Sequence, residues 1–401
     1  MGDQNALFEM ALQLGNGWRV VRSEFDAAGG KLELWLDFEA GSRFPDPESG
    51  ELCPVHDTRD KRWRHLNFWQ YETVLHARVP RIATPSGQVR LVEVPWARAG
   101  SGFTLMMEAF VMLLARQMPV AAVADMLGVH DTLLWRIVRH YVAEAQKRRD
   151  WSDVKRILVD ETSARKGHRY VSNVLDADTH ELLLMVEGKE GAVLGVFREE
   201  LLAHGGDPDR IEYIGMDMSK AYRNGARKHF PNARIVFDRF HVMQMAGNAL
   251  DEVRKELRRA GADLQGGLWA LRGNEWTRSD EQLARRRELC AQYPKLGRAM
   301  MLRETLQDTL EDGDERLLRY WCWRAAVSRL GPFRKMARSV REHWDGILAI
   351  METGITSGAI EAVNGLIQVA KRLARGFRSF ANFQAMAYLK AGKLVLDVPA
   401  L

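Results

Sequence analysis

The run Ile157-Leu158-Val159-Asp160-Glu161 restricts what this chain can fold into more than any other stretch. Three consecutive apolar residues with β preference predict a strand buried on both faces, yet an acid follows them without a gap. Further strands over residues 170–175 and 182–186, joined by an Asp-rich turn, predict an antiparallel three-stranded meander. Most acids in such a position only end a strand, so a functional role for Asp160 depends on the acids that follow it.

After the meander, the sequence alternates helices and strands. The predicted elements are, in chain order, helix 192–202, strand 211–216, helix 219–229 and strand 234–237. The first of these strands leads directly into Asp217, and the second leads into Asp238-Arg239-Phe240-His241. The order β-β-β-α-β-α-β indicates a mixed sheet with helices packed on it. Residues 246–352 are rich in Arg, Glu and Leu and show no strand pattern, so they predict an all-α insertion.

A third acid, Glu361, lies near the start of a helix predicted over residues 356–375. The helix macrodipole alone favours an acid there. However, Glu361 also begins a polar stripe at helical spacing, and cations dominate the later part of that stripe. One acid followed by cations suits a helix that supplies a metal ligand and then follows a phosphate backbone. The residues on and just after this helix that we predict to contact DNA are Asn364, Lys371, Arg372, Arg375 and Arg378.

Carboxylates on two strands and one helix are the ligands that a two-metal phosphodiester site requires. We therefore predict that Asp160, Asp217 and Glu361 are catalytic and hold two metal ions. Hard oxygen ligands select Mg²⁺ or Mn²⁺ over Zn²⁺. Glu161 should point to the other face of the sheet, where it has either a structural or a metal-site role.

Positive charge is clustered, although the 58 Lys and Arg residues only slightly outnumber the 53 Asp and Glu residues. The five clusters lie at residues 59–64, 147–149, 254–259, 285–287 and 371–378. A single cluster is usually a solvated helix face, but five in one chain make nucleic acid the leading partner. Lys166 and His168, in the turn after the first meander strand, either contact substrate phosphate or are simply solvated.

Residues 100–146 have the pattern of a helix-turn-helix DNA-binding domain. A helix over 103–117 precedes Pro119, which opens a second helix, and Gly128-Val129 predicts the tight turn before a third. Arg136 and Arg139 on the third helix are candidate DNA contacts. The same three-helix pattern also occurs in domains that only pack against the rest of a protein.

Residues 1–99 predict a β-rich module with half of a zinc knuckle. Cys53-Pro-Val-His56 has the spacing of two zinc ligands, but Thr84-Pro85-Ser86-Gly87 stands where a second pair is expected. The module is therefore either a zinc site completed by other side chains or a metal-free remnant. Residues 41–56 predict mainly loop, because three prolines and two glycines fall in or next to them.

Cysteine usage and hydropathy predict a cytoplasmic protein. The three cysteines lie far apart in sequence, which argues against a disulfide framework and for a reducing compartment. The N-terminus lacks the basic and then apolar run of a signal peptide. The most apolar stretch, residues 103–129, is interrupted by charged residues and a proline, so no membrane span is expected.

Several motifs together resemble bacterial insertion-sequence transposases of the ISL-three type. They are Leu158-Val159-Asp160-Glu161, Lys166-Gly167-His168-Arg169-Tyr170, Gly215-Met216-Asp217-Met218-Ser219, Asp238-Arg239-Phe240-His241, Ser357-Gly358-Ala359-Ile360-Glu361-Ala362-Val363-Asn364 and Arg375-Gly376-Phe377-Arg378-Ser379-Phe380. The resemblance implies a ribonuclease-H-like core with Asp, Asp and Glu ligands, which acts on DNA at the bacterial nucleoid. It also implies that Asp238 and His241 support the site or contact DNA. The chain departs from this family at the second half of the zinc motif.

The predicted fold class is α+β and multidomain. A ribonuclease-H-like mixed-sheet core carries an all-α insertion and follows a helix-turn-helix and a degenerate zinc-ribbon-like N-terminal module. The predicted domains are residues 1–99 (N-terminal module), 100–146 (helix-turn-helix), 152–245 (first part of the core), 246–352 (insertion) and 353–401 (second part of the core).

Three hypotheses about function remain, of which a host nuclease with the same fold ranks last because it would not need a helix-turn-helix. In the first, a DDE transposase binds the terminal inverted repeats of its element, cleaves DNA by Mg²⁺-dependent hydrolysis and joins the 3′-OH ends to target DNA. Because two ends must be brought together, at least a homodimer is expected on DNA. In the second, a catalytically retired transposase acts as a DNA-binding regulator. The intact set of three acids counts against the second hypothesis, and the altered zinc motif is in its favour.

Overall fold

The computed structural model describes residues 2–15, 17–165, 169–188, 192–271 and 278–399. The chain divides into two compact units, one of residues 1–145 with 395–401 and one of residues 146–394. Each unit contains a sheet with both parallel and antiparallel strands. The mixed α/β character that the sequence pattern predicts is therefore confirmed.

The first unit contains a six-stranded sheet. Its elements up to the last strand are α1 (Gly2–Ala11), β1 (Trp18–Asp26), β2 (Lys31–Phe38), β3 (Arg43–Pro45), β4 (Leu52–Arg64), β5 (Glu72–Ala83) and β6 (Val89–Leu91). The strand order is β1-β2-β5-β4-β3, with β6 paired to β5. Only β2 and β5 pair in parallel. Alternate residues of β2, namely Leu32, Leu34 and Leu36, are buried in the core of this unit.

The sheet extends into a region predicted as loop. In residues 41–56, β3 pairs with the start of β4, a strand of 13 residues. Pro54 precedes the residues of β4 that pair with β5, so one side of the strand is unpaired there and its missing N–H is tolerated. The prediction of loop was wrong because proline and glycine report local conformation, whereas this pairing is made across the sheet.

Three helices complete the first unit, namely α2 (Leu105–Ala115), α3 (Val120–Leu127) and α4 (Asp131–Lys147). Gly128, between α3 and α4, adopts the left-handed conformation (φ 64°) that the predicted tight turn requires. The fully buried carboxylate of Glu108 accepts hydrogen bonds from Arg98 (2.9 Å), Ser101 (2.6 Å) and Tyr141 (2.9 Å). These bonds join α2 to α4 and to the preceding loop, and so fix the three-helix arrangement.

The second unit begins with a five-stranded sheet. Its elements up to the last strand are β7 (Arg156–Arg165), β8 (Arg169–Asp176), β9 (Leu182–Glu187), α5 (Ala192–Ala203), a 3₁₀ turn (Pro208–Arg210), β10 (Tyr213–Met216), α6 (Lys220–His229) and β11 (Arg234–Phe237). The strand order is β11-β10-β7-β8-β9. Strands β7, β8 and β9 form the predicted antiparallel meander, and β10 is parallel to both β7 and β11.

Helices form the rest of the second unit. They are α7 (Arg239–Arg259), α8 (Gly267–Leu271), α9 (Asp280–Gln292), α10 (Pro294–Asp312), α11 (Glu315–Val327), α12 (Gly331–Glu342), α13 (Trp344–Thr353), α14 (Gly358–Leu373) and α15 (Phe380–Ala391). In the described part of residues 246–352 every regular element is a helix, as predicted. Among the described residues, no single helix is long and apolar enough to cross a bilayer. Helices α13 and α14 reach that length and hydropathy only when taken together, and the chain bends by 90° between them.

The helix that carries Glu361 begins later than residue 356. Gly354 ends α13 in the left-handed conformation (φ 64°), and α14 starts only at Gly358. A glycine at such a point can end one helix as readily as it can precede another, so the sequence does not fix this boundary. The later start places Glu361 in the first turn of α14.

Candidate active site

Five ionisable side chains line one cavity of about 230 Å³, the acid cavity, at an edge of the second sheet. Because β7, β10 and β11 are parallel, they lead toward the same edge. Asp160 belongs to β7, and Asp217 and Asp238 directly follow β10 and β11. Glu361 comes from the first turn of α14, and His241 from the first turn of α7. The structure thus brings together the three acids predicted as ligands and the two residues predicted to support them.

The carboxylate of Asp160 is held by an amide from α14. Asn364 Nδ2 donates to Asp160 Oδ2 (2.8 Å), and Asn364 Oδ1 accepts from Asn173 Nδ2 (2.6 Å). Asn173 is fully buried on β8, directly opposite Asp160, and its Oδ1 has no hydrogen-bond partner among the described groups. Asn364, predicted as a DNA contact, is only 9% exposed and is instead bonded to Asp160. Asn364 is therefore placed where its amide can orient the carboxylate of Asp160.

Negative charge is concentrated around Asp160. Burial raises the pKa of Asp160 to about 6, and the charges of Asp217 and Asp238 act in the same direction. The backbone N–H of Glu161 and the side chain of His241 oppose this rise. The cavity therefore favours a cation, because the groups around it do not fully neutralise the acids.

Asp238 and His241 form a bonded pair at the start of α7. The carboxylate of Asp238 accepts the backbone N–H of Phe240 (2.9 Å) and bonds to His241 Nδ1 (2.7 Å). Burial alone would raise the pKa of Asp238, but the hydrogen bonds from His241, Phe240 and Ser357 lower it. The bond to Asp238 is the main reason why the pKa of His241 is raised. The pair therefore favours an anionic Asp238 and a protonated His241.

The chemistry of the acids fits a divalent cation, because all of them offer hard oxygen ligands. Asp217 also accepts the backbone N–H of Ser219 (2.9 Å). Glu361 accepts a hydrogen bond from the hydroxyl of Ser357, one helical turn earlier. Within the described ranges, no three His, Cys, Asp or Glu side chains lie close enough together to hold one ion. A shared ion would therefore require these carboxylates to rearrange, and Glu361 is the exposed one.

Glu161 faces away from the acid cavity. Its carboxylate accepts a hydrogen bond from the Tyr222 hydroxyl on α6 (3.2 Å), and that hydroxyl also bonds to Ser172 (2.8 Å). Adjacent residues of a strand point to opposite faces of a sheet, so this placement follows from that of Asp160. Of the two roles predicted for Glu161, this contact favours the structural one.

The polar stripe on α14 lies partly against β7. Gln368 Nε2 donates to Thr162 Oγ1 (2.8 Å) and to the carbonyl of Ser163 (2.8 Å). Lys371 donates to the same carbonyl. These contacts and the bond from Asn364 align the stripe along the strand that carries Asp160.

Beyond Lys371 the stripe is exposed. Arg372, Arg375 and Arg378 are exposed and line an open groove together with Lys371. Exposed guanidinium groups in an open groove are able to bind phosphate. That these residues contact DNA stays a prediction. Lys166 and His168 lie outside the described residues.

Arg136 and Arg139, the candidate DNA contacts of the first unit, are exposed on α4. Arg139 Nε donates to the carbonyl of Trp135 in its own helix (3.3 Å). The neighbouring Leu134 and Val138 are buried, so the two arginines lie on the outer side of the helix. This arrangement suits a helix that presents cations to a ligand.

The half zinc knuckle does not form a metal site in the described part of the chain. Cys53 is buried, its thiol donates to the carbonyl of Glu51 (3.5 Å), and burial raises its pKa. His56 Nδ1 lies 3.5 Å from the carboxylate of Asp57. No group of three potential ligands includes these residues. Among the described residues, the structure therefore assembles no ligand set for zinc around Cys53 and His56.

Two residues of the hydrogen-bond network around the predicted acids were not identified from the sequence. Asn173 and Ser172 are the two polar residues of the otherwise apolar run 171–175, and this break in the pattern was the available signal. Ser357 stands four residues before Glu361, a spacing at which helical side chains meet. That signal is weak, because hydroxyl residues are common before helices.

Comparison with known proteins assigns both units. The model for the helix-turn-helix domain of transposase family ISL3 matches residues 92–142, and the ISL3 model for the DDE domain, described as a transposase, matches residues 157–387. The transposase for insertion sequence element IS1557 of Mycobacterium tuberculosis is 28% identical over 362 residues, 82% of this chain and 81% of the relative. The transposase for insertion sequence element IS1001 of Bordetella parapertussis is 27% identical over 385 residues, 92% of this chain and 93% of the relative. Since the DDE model covers more than half of the sequence, the chain belongs to the ISL3 family of transposases.

Proposed function

We propose that this transposase cleaves DNA at the ends of its insertion sequence and joins the 3′-OH ends to target DNA. The observation that carries the proposal is the acid cavity, which gathers Asp160, Asp217 and Glu361 from three different elements. The sheet order, an antiparallel meander extended by two parallel strands, supports a ribonuclease-H-like core. The helical segment between β11 and α14 is then the insertion of that core.

In this proposal Asp160, Asp217 and Glu361 would hold two divalent ions, Mg²⁺ or Mn²⁺. These ions would act as Lewis acids that stabilise the attacking and leaving oxygens. Asn364 keeps Asp160 in one orientation, since its amide is fixed in turn by Asn173. His241, held through Nδ1 by Asp238, presents a cation to the phosphodiester.

DNA is bound by both units. The helix-turn-helix recognises the terminal inverted repeats, with Arg136 and Arg139 as contacts on α4. Lys371, Arg372, Arg375 and Arg378 follow the phosphate backbone beyond the acid cavity. Because the two ends of the element must be processed together, we expect at least a dimer on DNA.

The test is cleavage of a labelled duplex that carries the terminal repeat of the element encoding this chain. We expect nicking at the repeat end with Mg²⁺ or Mn²⁺ and no nicking in EDTA, because the phosphodiester reaction needs the two cations. A gel-shift assay without cation measures binding separately. Tight binding with no cleavage in either cation would count against the proposal and favour a retired, regulatory protein.

Asn364→Leu should lower cleavage about 10- to 100-fold, the usual cost of losing a group that orients a metal ligand. Leucine has the same branching as asparagine, although it is larger, and it cannot donate to Asp160. Gln368→Leu is the matched control, because this residue also donates an amide hydrogen bond to β7 but does not touch an acid. Equal losses in the two variants would mean that only the packing of α14 matters.

A further inference from the structure

The solvent side of α12, in the helical insertion, is cationic. Arg334, Lys335 and Arg338 are exposed there, and the apolar residues of the helix are buried on its other side. None of the ion pairs that the described residues form involves these three cations. We call this surface the α12 face. It lies outside the five charge clusters that predicted nucleic-acid binding.

The surrounding sequence does not neutralise this charge. Between Glu315 and Glu342 the chain contains eight Lys and Arg residues and no acid. Glu342 is the one acid of α12, and although it follows Arg338 by four residues, the two side chains form no ion pair in the described structure. A cationic helix face of this kind is often only solvated. Its position in the fold therefore decides its meaning.

Helix α12 ends beside the acid cavity. His343 follows the helix directly, and its ring meets the ring of Phe237 on β11 edge-on, with centroids 5.2 Å apart. Phe237 lines the acid cavity. Gly346, at the start of α13, passes so close to Phe237 that an added Cβ would lie 2.4 Å from its ring. This packing fixes the end of α12 against the strand that leads into Asp238.

Helices α12 and α14 approach the acid cavity at different strands. Helix α14 donates hydrogen bonds to Asp160 and to the carbonyl of Ser163 on β7, in the middle of the sheet. Helix α12 instead ends at β11, the edge strand. Asp217 follows β10, the strand between them. DNA with its scissile phosphate at these acids therefore meets exposed cations on both sides, on α14 and on the α12 face.

The composition of the α12 face fits phosphate better than protein. Arg334 and Arg338 are one turn apart, about 6 Å along the helix. Phosphates of one DNA strand follow each other every 3.4 Å or so along the duplex, so the two side chains can reach phosphates about two nucleotides apart. Helix α12, which is described throughout, exposes no large apolar side chain. The core of a protein–protein interface, by contrast, is rich in aromatic residues and poor in charge.

We propose that the α12 face binds the backbone of the flanking DNA, which lies beyond the end of the element, while α14 follows the end itself. Contacts to phosphate carry no sequence information. They suit flanking DNA, because its sequence changes from one insertion site to the next. The inference rests on the proposed cleavage at the ends of the element, since the scissile phosphate divides the end from the flank.

The first experiment measures the affinity of the Asp160→Asn protein for two duplexes. One duplex stops at the end of the terminal repeat, and the other continues for one helical turn of flanking DNA. The added changes Arg334→Gln, Lys335→Gln and Arg338→Gln should lower affinity for the longer duplex to that for the shorter one. The slope of log affinity against log salt for the longer duplex should become shallower by about 0.9 for each lost phosphate contact, roughly 2–3 in all. Equal changes on both duplexes, or no change, would overturn the inference.

The matched control is Arg198→Gln with Arg227→Gln and Lys228→Gln. It also replaces two exposed arginines and one exposed lysine, here on α5 and α6. These helices pack together, and α6 lies on the sheet face toward which Glu161 points, away from the acid cavity. Glutamine has nearly the helix propensity of arginine and lysine, so both triple variants should keep their helices. The control should bind both duplexes as before, and a loss of flank binding here would show that only net charge matters.

Sedimentation of the DNA-free protein tests a competing partner, an acidic segment of a second copy. Residues 304–315 contain six acids and no cation, so they are able to attract the α12 face. The triple α12 variant should sediment like the wild type. A smaller assembly in the variant would mean that the face binds another copy of the chain, and it would contradict the inference.

Flank binding and cleavage can fail separately, because binding is measured in a protein that does not need to cut. If the α12 changes remove flank binding but the wild type cleaves neither duplex, only the proposed reaction is refuted. If the wild type cleaves and the α12 variant binds both duplexes as before, only this inference is refuted.

Discussion

Asp160→Asn should abolish strand cleavage, by at least about 1,000-fold, while terminal-repeat DNA is still bound. That loss corresponds to roughly 4 kcal/mol of transition-state stabilisation. The asparagine keeps the shape of the side chain, and its oxygen can still accept from Asn364, so the positioning network is preserved. What disappears is a negative charge and one oxygen ligand. The measurement is single-turnover cleavage, with binding followed in parallel by gel shift.

Glu161→Gln is the matched control for this prediction. It makes the same change from carboxylate to amide one residue later in β7, but its side chain faces Tyr222 on α6 and does not line the acid cavity. The glutamine oxygen can still accept from the tyrosine, so cleavage should stay near that of the wild type. Full cleavage by Asp160→Asn would refute the role of Asp160 as a ligand.

Strand patterns were sufficient to predict the second sheet and the place of two acids. Each of β10 and β11 is a short apolar run that ends directly in an acid, Asp217 or Asp238. Because the two strands pair in parallel, the acids that follow them lie at one edge of the sheet, whereas the supporting role of Asp238 was expected only from the family resemblance. The physical reason is that burial on both faces leaves a strong local signature in the sequence.

The contacts that orient the site could not be predicted in this way. Asn364 is separated by 204 positions from Asp160 and by 191 positions from Asn173. Its helical spacing from Glu361 placed it on a polar stripe, but it did not show that this part of the stripe would be buried against β7. Periodicity identifies a polar face of a helix, whereas the identity of its neighbour depends on the whole fold.

Local signals also failed where pairing or capping competed with them. The prolines and glycines of residues 41–56 predicted loop, although β3 and β4 pair there. The last long helix was predicted to begin at residue 356, although Gly354 ends α13 and α14 begins only at Gly358. Three further expectations remain predictions: the domain boundaries, the DNA contacts and the dimer. The DNA contacts and the dimer involve partners that are not part of a single chain.

Glu361→Gln should reduce cleavage as strongly as Asp160→Asn, again by at least about 1,000-fold. The glutamine can still accept from Ser357, so the start of α14 is kept and only the charge is lost. The double variant should be hardly slower than either single variant, because residues that act as one unit lose their function together. Single-turnover cleavage of the same terminal duplex measures all three.

Glu352→Gln controls for the general loss of a negative charge near the start of α14. This glutamate lies on α13, pairs with Arg234 and does not line the acid cavity, so its loss should leave cleavage unchanged. If Glu361→Gln cleaved like the wild type while Asp160→Asn did not, Glu361 would not be the third ligand. Asp238 would then be the remaining candidate, because it is the only other acid among the described residues that line the acid cavity. To bind a metal ion, Asp238 would first have to break its bond to His241. Asp238→Asn should then reduce cleavage as strongly as is expected for Glu361→Gln.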